Sequence, residues 1–194
     1  MKLYCATTNP GKLREFRLAA SEAIDIEPLP GLELISTCRE TGTTFEENAI
    51  QKALHYGASC NGYLFAEDSG LEVDALGGAP GVYSARFAGP QATDDQNNRL
   101  LLDKLAHTRN RKARYVCVIA LAYASKLLRT FRGEVQGSIL EGARGSAGFG
   151  YDPLFYFAPL DCTFAELSRE RKQTVSHRGQ ALNAMLAYLR EALL

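Results

Sequence analysis

Tryptophan is missing from the 194 residues, and so is any net charge: Lys plus Arg and Asp plus Glu each total 22. Without a long-range field the chain has no general pull toward nucleic acid or anionic lipid, so any anion site must be local and no nucleic-acid partner is expected. No CxxC spacing occurs. The five cysteines, Cys5, Cys38, Cys60, Cys117 and Cys162, are odd in number and scattered, which argues against a zinc knot and against a secreted disulfide framework. No stretch approaches the ~20 apolar residues of a membrane span, and the apolar run at Met1–Ala6 is far too short for a signal peptide. The expectation is a protein that does not enter membranes and works in the reducing cytoplasm. Linkers, low-complexity tracts and internal repeats are absent too, so residues 1–194 read as one domain with room for two lobes.

The pattern that is present alternates strand and helix signals. Leu3–Ala6 reads as a short buried strand; after Asn9-Pro10-Gly11 a helical pattern puts Leu13, Phe16 and Ala20 on one face. Thr44-Phe45-Glu46-Glu47 is a capping box, opening a helix expected to reach Cys60 and stop at Asn61-Gly62. Leu64-Phe65-Ala66 is a short strand expected to end in the acidic pair Glu67-Asp68, with Ser69-Gly70 as the turn. An irregular loop over 77–89 precedes a second capping box, Thr93–Gln96, and a helix through Leu105. Residues 113–124 are β-rich, and 128–139 supply one or two partner strands in a hairpin. A Gly-rich loop, 142–151, a third capping box at Thr163–Glu166 and a helix from Ser176 to the C-terminus complete a mixed α/β architecture.

Chemistry gathers in four places. Thr7-Thr8-Asn9-Pro10-Gly11-Lys12 joins a strand to a helix, where free N–H groups, a glycine and a lysine suit a phosphate; the spacing is not that of the P-loop, and a plain N-cap with a solvated lysine fits as well. Glu67-Asp68-Ser69-Gly70 places carboxylates at a buried-looking strand, a costly position that a cation would relieve, and Mg²⁺ favours one or two carboxylates with water and phosphate oxygens. The alternative is a surface turn capped by Asp68. In Gly148-Phe149-Gly150-Tyr151-Asp152 either ring could stack on a base and Asp152 could accept from ring N–H groups; either ring could equally belong to the core. Lys172 precedes Ser176-His177-Arg178-Gly179, which sets two basic residues at a helix start against the macrodipole, a placement that an anionic or carbonyl-rich ligand would explain and solvation would also permit. Lys52 and Arg86 are weaker candidates for phosphate contacts; His55 and His107 receive no role.

Taken with Glu40-Thr41-Gly42, Phe45–Ala49 and Leu76–Gly81, these blocks run in order from residue 7 to 181, and the chain resembles the Ham1/inosine triphosphatase family over nearly its whole length. The resemblance implies an elongated mixed α/β fold with a cleft between two lobes, a homodimer, Mg²⁺ dependence, and hydrolysis of ITP, dITP and XTP to monophosphate and pyrophosphate. By position it implies that Thr7 to Lys12 and Lys172 hold triphosphate and that Asp68 serves as metal ligand and water-activating base. Ser69 would contact substrate, Phe149, Gly150, Tyr151 and Asp152 would bind the base, and His177 with Arg178 would read its 6-oxo edge. Many relatives carry an acid just before the Glu-Thr-Gly block where this chain has Arg39, so a second metal ligand falls to Glu40 or Glu67, or is not needed. Competing readings are a Maf-type nucleotide pyrophosphatase and a non-catalytic module for nucleotide or single-stranded RNA, the latter weakened by the balanced charge.

Overall fold

A computed structural model describes residues 1–19 and 23–193; Ala20 and Leu194, which the sequence pattern assigns to helices, lie outside them. Seven strands form one mixed sheet in the order β2-β1-β3-β4-β5-β6-β7. β1 (Lys2–Cys5) leads through α1 (Pro10–Leu18) to β2 (Asp25–Pro28), and it lies parallel to both β2 and β3 (Tyr63–Val73). β4 (Lys112–Tyr123) and β5 (Lys126–Ile139) continue antiparallel, followed by the short β6 (Phe155–Phe157) and β7 (Cys162–Thr163). With 14 residues in β5 and ~3.3 Å rise per residue, the sheet is about 45 Å long, elongated as the resemblance implied.

Apolar side chains cover this sheet in three clusters. α1 and α5 (His177–Leu193) bury Phe16, Leu182, Met185 and Leu186 against Phe65, Cys117 and Ile119 on one face. α2 (Phe45–Gly57) sets Phe45, Ala49 and Ala53 on Leu64, Ala66, Val116 and Val118 on the other. At the far end α3 (Asp94–Lys104) contributes Leu101 to a third cluster with Leu71, Val73, Tyr115 and Phe155. Because the first two clusters cover one end of β3 to β5 and the third the other, the sheet itself joins two lobes. Among the described residues no helix is long and apolar enough to cross a membrane.

Several boundaries differ from expectation. β3 does not end at Glu67-Asp68: it runs on through Ser69-Gly70 to Val73, paired residue by residue with β4, so the acidic pair is mid-strand. Gly70 marks close packing rather than a turn, since a Cβ there would collide with Ser84 Oγ and lie 2.7 Å from the Gly81 carbonyl oxygen. Gly70→Ala is therefore expected to cost about 1–3 kcal/mol by overpacking, seen as a lowered urea midpoint with an unchanged slope. The helix opened by Thr44 stops at Gly57 instead of Cys60. The Thr163–Glu166 capping box is formed, yet it closes only a single 3₁₀ turn, Phe164–Glu166, and a short α4 (Arg169–Val175) with Ser168 as its cap follows. The hairpin partner of β4 is one strand, beginning at Lys126.

Candidate active site

Successive residues of a strand point to opposite faces, and β3 uses this to part its two acids. Asp68 faces α2, where Asn48 and Lys52, one helical turn apart, reach it together: Lys52 Nζ lies 2.8 Å from Oδ1 and Asn48 Nδ2 donates to Oδ2 at 3.2 Å. The same ammonium is 3.2 Å from Glu40 Oε2, so two carboxylates share one cation. Burial raises the Asp68 carboxyl above the usual carboxylate range; Lys52 opposes this, while Glu67 and Glu40 add to it. Burial would lower the Lys52 ammonium, but Asp68, Glu67 and Glu40 outweigh it and hold the pKa above its ordinary value.

Glu67 faces α1 and α5. It pairs with Lys12, accepts from the buried Cys117 thiol at 3.4 Å, and lies 3.9 Å from Arg178 Nε. Arg178 also donates to Glu15 at 2.5 Å and to Ser69 Oγ at 2.9 Å; Glu15 accepts from Lys172 at 2.9 Å, and Lys172 donates to Asp152 at 2.6 Å. The result is an alternating file of charges, Lys12, Glu67, Arg178, Glu15, Lys172, Asp152, mostly withdrawn from water. Burial alone would push Glu67 and Glu15 up, but their cationic neighbours, Lys12 and Arg178 for Glu67 and Arg178 and Lys172 for Glu15, hold both below the carboxylate range. Asp152, whose burial is opposed by one cation, Lys172, and by the Phe149 N–H while Glu15 adds to it, is raised.

His177 stacks flat on Tyr115, with centroids 4.6 Å apart and planes within 6°. Burial, with Arg178 and Lys172 nearby, keeps its imidazole well below its ordinary pKa and hence neutral at pH 7. Its Nδ1 and Arg178 Nε are buried without hydrogen-bond partners among the described residues, the condition of polar groups that await a ligand. Both residues line a cavity of about 140 Å³ with Lys12, Ser69, Phe149 and Asp152. Phe149 lies beneath the Lys172 ammonium at 4.9 Å and the Arg178 guanidinium at 5.4 Å. Gly11 passes so near the ring that a Cβ there would be 2.9 Å from Phe149 Cδ1. Across the cavity α3 clamps the Gly150 peptide: Asp94 accepts from its N–H at 2.6 Å and Asn98 donates to its oxygen at 3.0 Å.

The sequence-derived candidates thus separate into groups. Asp68 and Glu40 converge with Lys52, whereas Glu67 points the other way, which leaves Glu40 as the carboxylate that shares a cation with Asp68. Lys172 is placed beside Phe149 and Asp152 rather than beside Asp68. Tyr151 and Phe149 both line the cavity, but Tyr151 is buried with its hydroxyl donating to the Ser84 carbonyl at 2.8 Å, so Phe149 is the more exposed ring. The cradle at the start of α1 also divides. Asn9 and Lys12 line the cavity, while Thr7 and Thr8 line a separate groove with Arg17 and Glu27. The expected free N–H groups are taken locally: the Asn9 side chain accepts from Gly11 and Lys12 at 2.8 and 3.1 Å, and Thr7 Oγ1 from Asn9 at 3.2 Å, with Pro10 offering none. Glu15, Asn48, Asp94 and Tyr115 escaped sequence reasoning. Glu15, three residues after Lys12 and flanked by the apolar pattern, carried the only visible hint, an acid on the turn that buries Phe16.

Known proteins follow the chain from end to end. The family model for the Ham1 family matches residues 3–188. A dITP/XTP pyrophosphatase of Exiguobacterium sp. is 50% identical over 96% of each chain, and one from Staphylococcus aureus is 43% identical over 97% of this chain and 96% of its own. The solved Ham1 protein of Staphylococcus aureus superposes with a TM-score of 0.88 at 41% identity, covering 98% of this chain and 99% of that one. A HAM1 protein from Coxiella burnetii gives 0.89 at 39% identity, covering 99% and 100%. With the family model matching residues 3–188, relatives at 43–50% identity and solved structures at TM-scores of 0.88 and 0.89, the chain belongs to the Ham1 family.

Proposed function

We propose that the chain hydrolyses dITP, ITP and XTP to the monophosphate and pyrophosphate, removing non-standard purine nucleotides from the pool. The observation that carries this reading is the pair of buried nitrogens without a hydrogen bond among the described residues, His177 Nδ1 and Arg178 Nε, on two residues that line the Phe149 cavity. Phe149 stacks on the purine, and Arg178 with the neutral His177 donates to a carbonyl at the 6-position. Adenine would present an amino group to those donors and leave them unpaired, a mismatch worth up to ~10⁴-fold in a site built for hydrogen bonding. Lys172, fixed by Asp152 and Glu15, braces the ring of Phe149 at the base end.

Beyond Cys5 the strand β1 no longer flanks β3, so the stretch at Glu67–Ser69 has no paired strand on that side. The triphosphate runs there, with Lys12 and Lys52 as its cations. Mg²⁺ fits the donor set, because Asp68 and Glu40 already converge on a place where positive charge is favourable, and these two carboxylates would hold it. When bound, the ion would neutralise phosphate charge. Asp68 orients water for attack at the α–β phosphate link, and Lys12 stabilises the departing pyrophosphate. The reading includes a cytoplasmic homodimer; the free thiols suit a reducing compartment.

Chromatography of products from dITP, XTP, dATP and dGTP, with and without Mg²⁺, tests the assignment. The expected products are monophosphate and pyrophosphate, formed from dITP and XTP only with the metal present. Equal turnover of dATP and dITP would refute the 6-oxo readout, and light scattering at the mass of one chain would refute the dimer.

A further inference from the structure

We infer that Asn48, a residue outside the charged machinery, is a positioning residue that yokes the Glu40 loop to the Asp68 carboxylate; its importance for turnover rests on the function proposed above. Asn48 is 1% exposed, and both ends of its amide are used. Oδ1 accepts from the Gly42 N–H at 2.9 Å, and Nδ2 donates to Asp68 Oδ2 at 3.2 Å. Gly42 sits two residues after Glu40 and is pressed onto α2 so closely that a Cβ there would be 2.7 Å from Asn48 Oδ1 and 2.6 Å from Glu47 Cβ. One planar group therefore sets the separation between the loop that carries one carboxylate and the strand that carries the other. Lys52 grips the second oxygen of Asp68, so the plane of that carboxylate is defined by two side chains on consecutive turns of one helix.

Asn48→Asp is the discriminating change. An aspartate of the same shape still accepts from Gly42, so the loop keeps its anchor, but it cannot donate to Asp68 and sets a second negative charge against it. The variant is expected to lower kcat for dITP by about 10²-fold, the scale of an ångström-level misplacement, with KM held within about threefold and the melting temperature reduced. Combining it with Asp68→Asn reverses donor and acceptor across the same contact: the amide now on the strand can donate to the carboxylate now on the helix, which still accepts from Gly42. The double variant is expected to regain most of the melting temperature lost by Asn48→Asp alone while remaining as inactive as Asp68→Asn.

If the thermal loss is the same in both backgrounds, Asn48 does not act through Asp68 and the inference is overturned. Retained turnover in Asp68→Asn alone would instead defeat the functional reading, and the thermal coupling between the two positions would still decide the role of Asn48. Asn48→Ser, too short to span both partners, covers an aspartate variant that does not fold: a loss of kcat with KM kept supports the yoke, and full activity overturns it.

Discussion

Asp68→Asn is expected to lower kcat/KM for dITP by about 10³-fold, roughly 4 kcal/mol of transition-state stabilisation, while the stability of the folded state changes by no more than about 1–2 kcal/mol. The two effects part because of where the carboxylate sits. It is buried in mid-strand, and that burial, together with Glu67 and Glu40, disfavours its charge, so neutralising it relieves a cost that the fold carries for the sake of the reaction. An asparagine retains one oxygen for Lys52 but turns its NH₂ toward the Asn48 amide donor, which offsets part of that relief, and it can neither take a proton from water nor contribute a negative charge beside Glu40. Steady-state kinetics at saturating Mg²⁺, set beside a urea titration, measure both quantities. Near-full turnover would remove Asp68 from the mechanism, and a collapse of the urea midpoint would mean that its pairing with Lys52 is structural after all.

Arg178→Met should act the other way, on stability first. The guanidinium is the central cation of the buried file, held between Glu15 and Glu67, and removing one partner of such a set typically costs about 3–5 kcal/mol because the charge left behind stays out of water. The sign with pH follows from Glu15. Its folded pKa lies below the usual carboxylate range, so its ionised form contributes stability above the unfolded value of about 4.3, and that contribution is lost as pH falls through the folded value. The difference between wild type and Arg178→Met should therefore be largest near pH 7 and shrink on acidification, as Glu15 in the variant takes up a proton and the stranded charge disappears. Denaturant midpoints from pH 7 to pH 3 would show this, and a difference that is constant or grows toward acid would contradict it. What survives of the variant's activity should discriminate poorly between dITP and dATP.

How much of this could be read from residues alone depended on whether the signal was local. The capping boxes at Thr44 and Thr93 and the hairpin of β4 and β5 are short-range patterns, and the structure has them where the residues placed them. Gly70 misled because a glycine that admits a neighbouring segment looks, along the chain, like one that turns; only the approach of Ser84 distinguishes them. Thr163 closed its box but lacked an apolar helical face after it, so a single turn formed. At the site, Asp68, Lys12, Phe149, His177 and Arg178 were legible as residue types in unusual positions. Glu15 was not, because its partners Lys172 and Arg178 lie more than 150 residues away in the chain. The division between Glu40 and Glu67 was likewise hidden, because it depends on the strand continuing past Glu67 and Asp68.

That continuation has an evolutionary consequence. On the proposed function Ser69 faces the side that recognises the ring and Asp68 the side that cleaves, so the two traits can drift separately. A single inserted or deleted codon between Phe65 and Leu71 would do what no point change can, exchanging the two inheritances at a stroke. Descendants of this gene should accordingly vary in which bases they admit while keeping the spacing of this segment fixed.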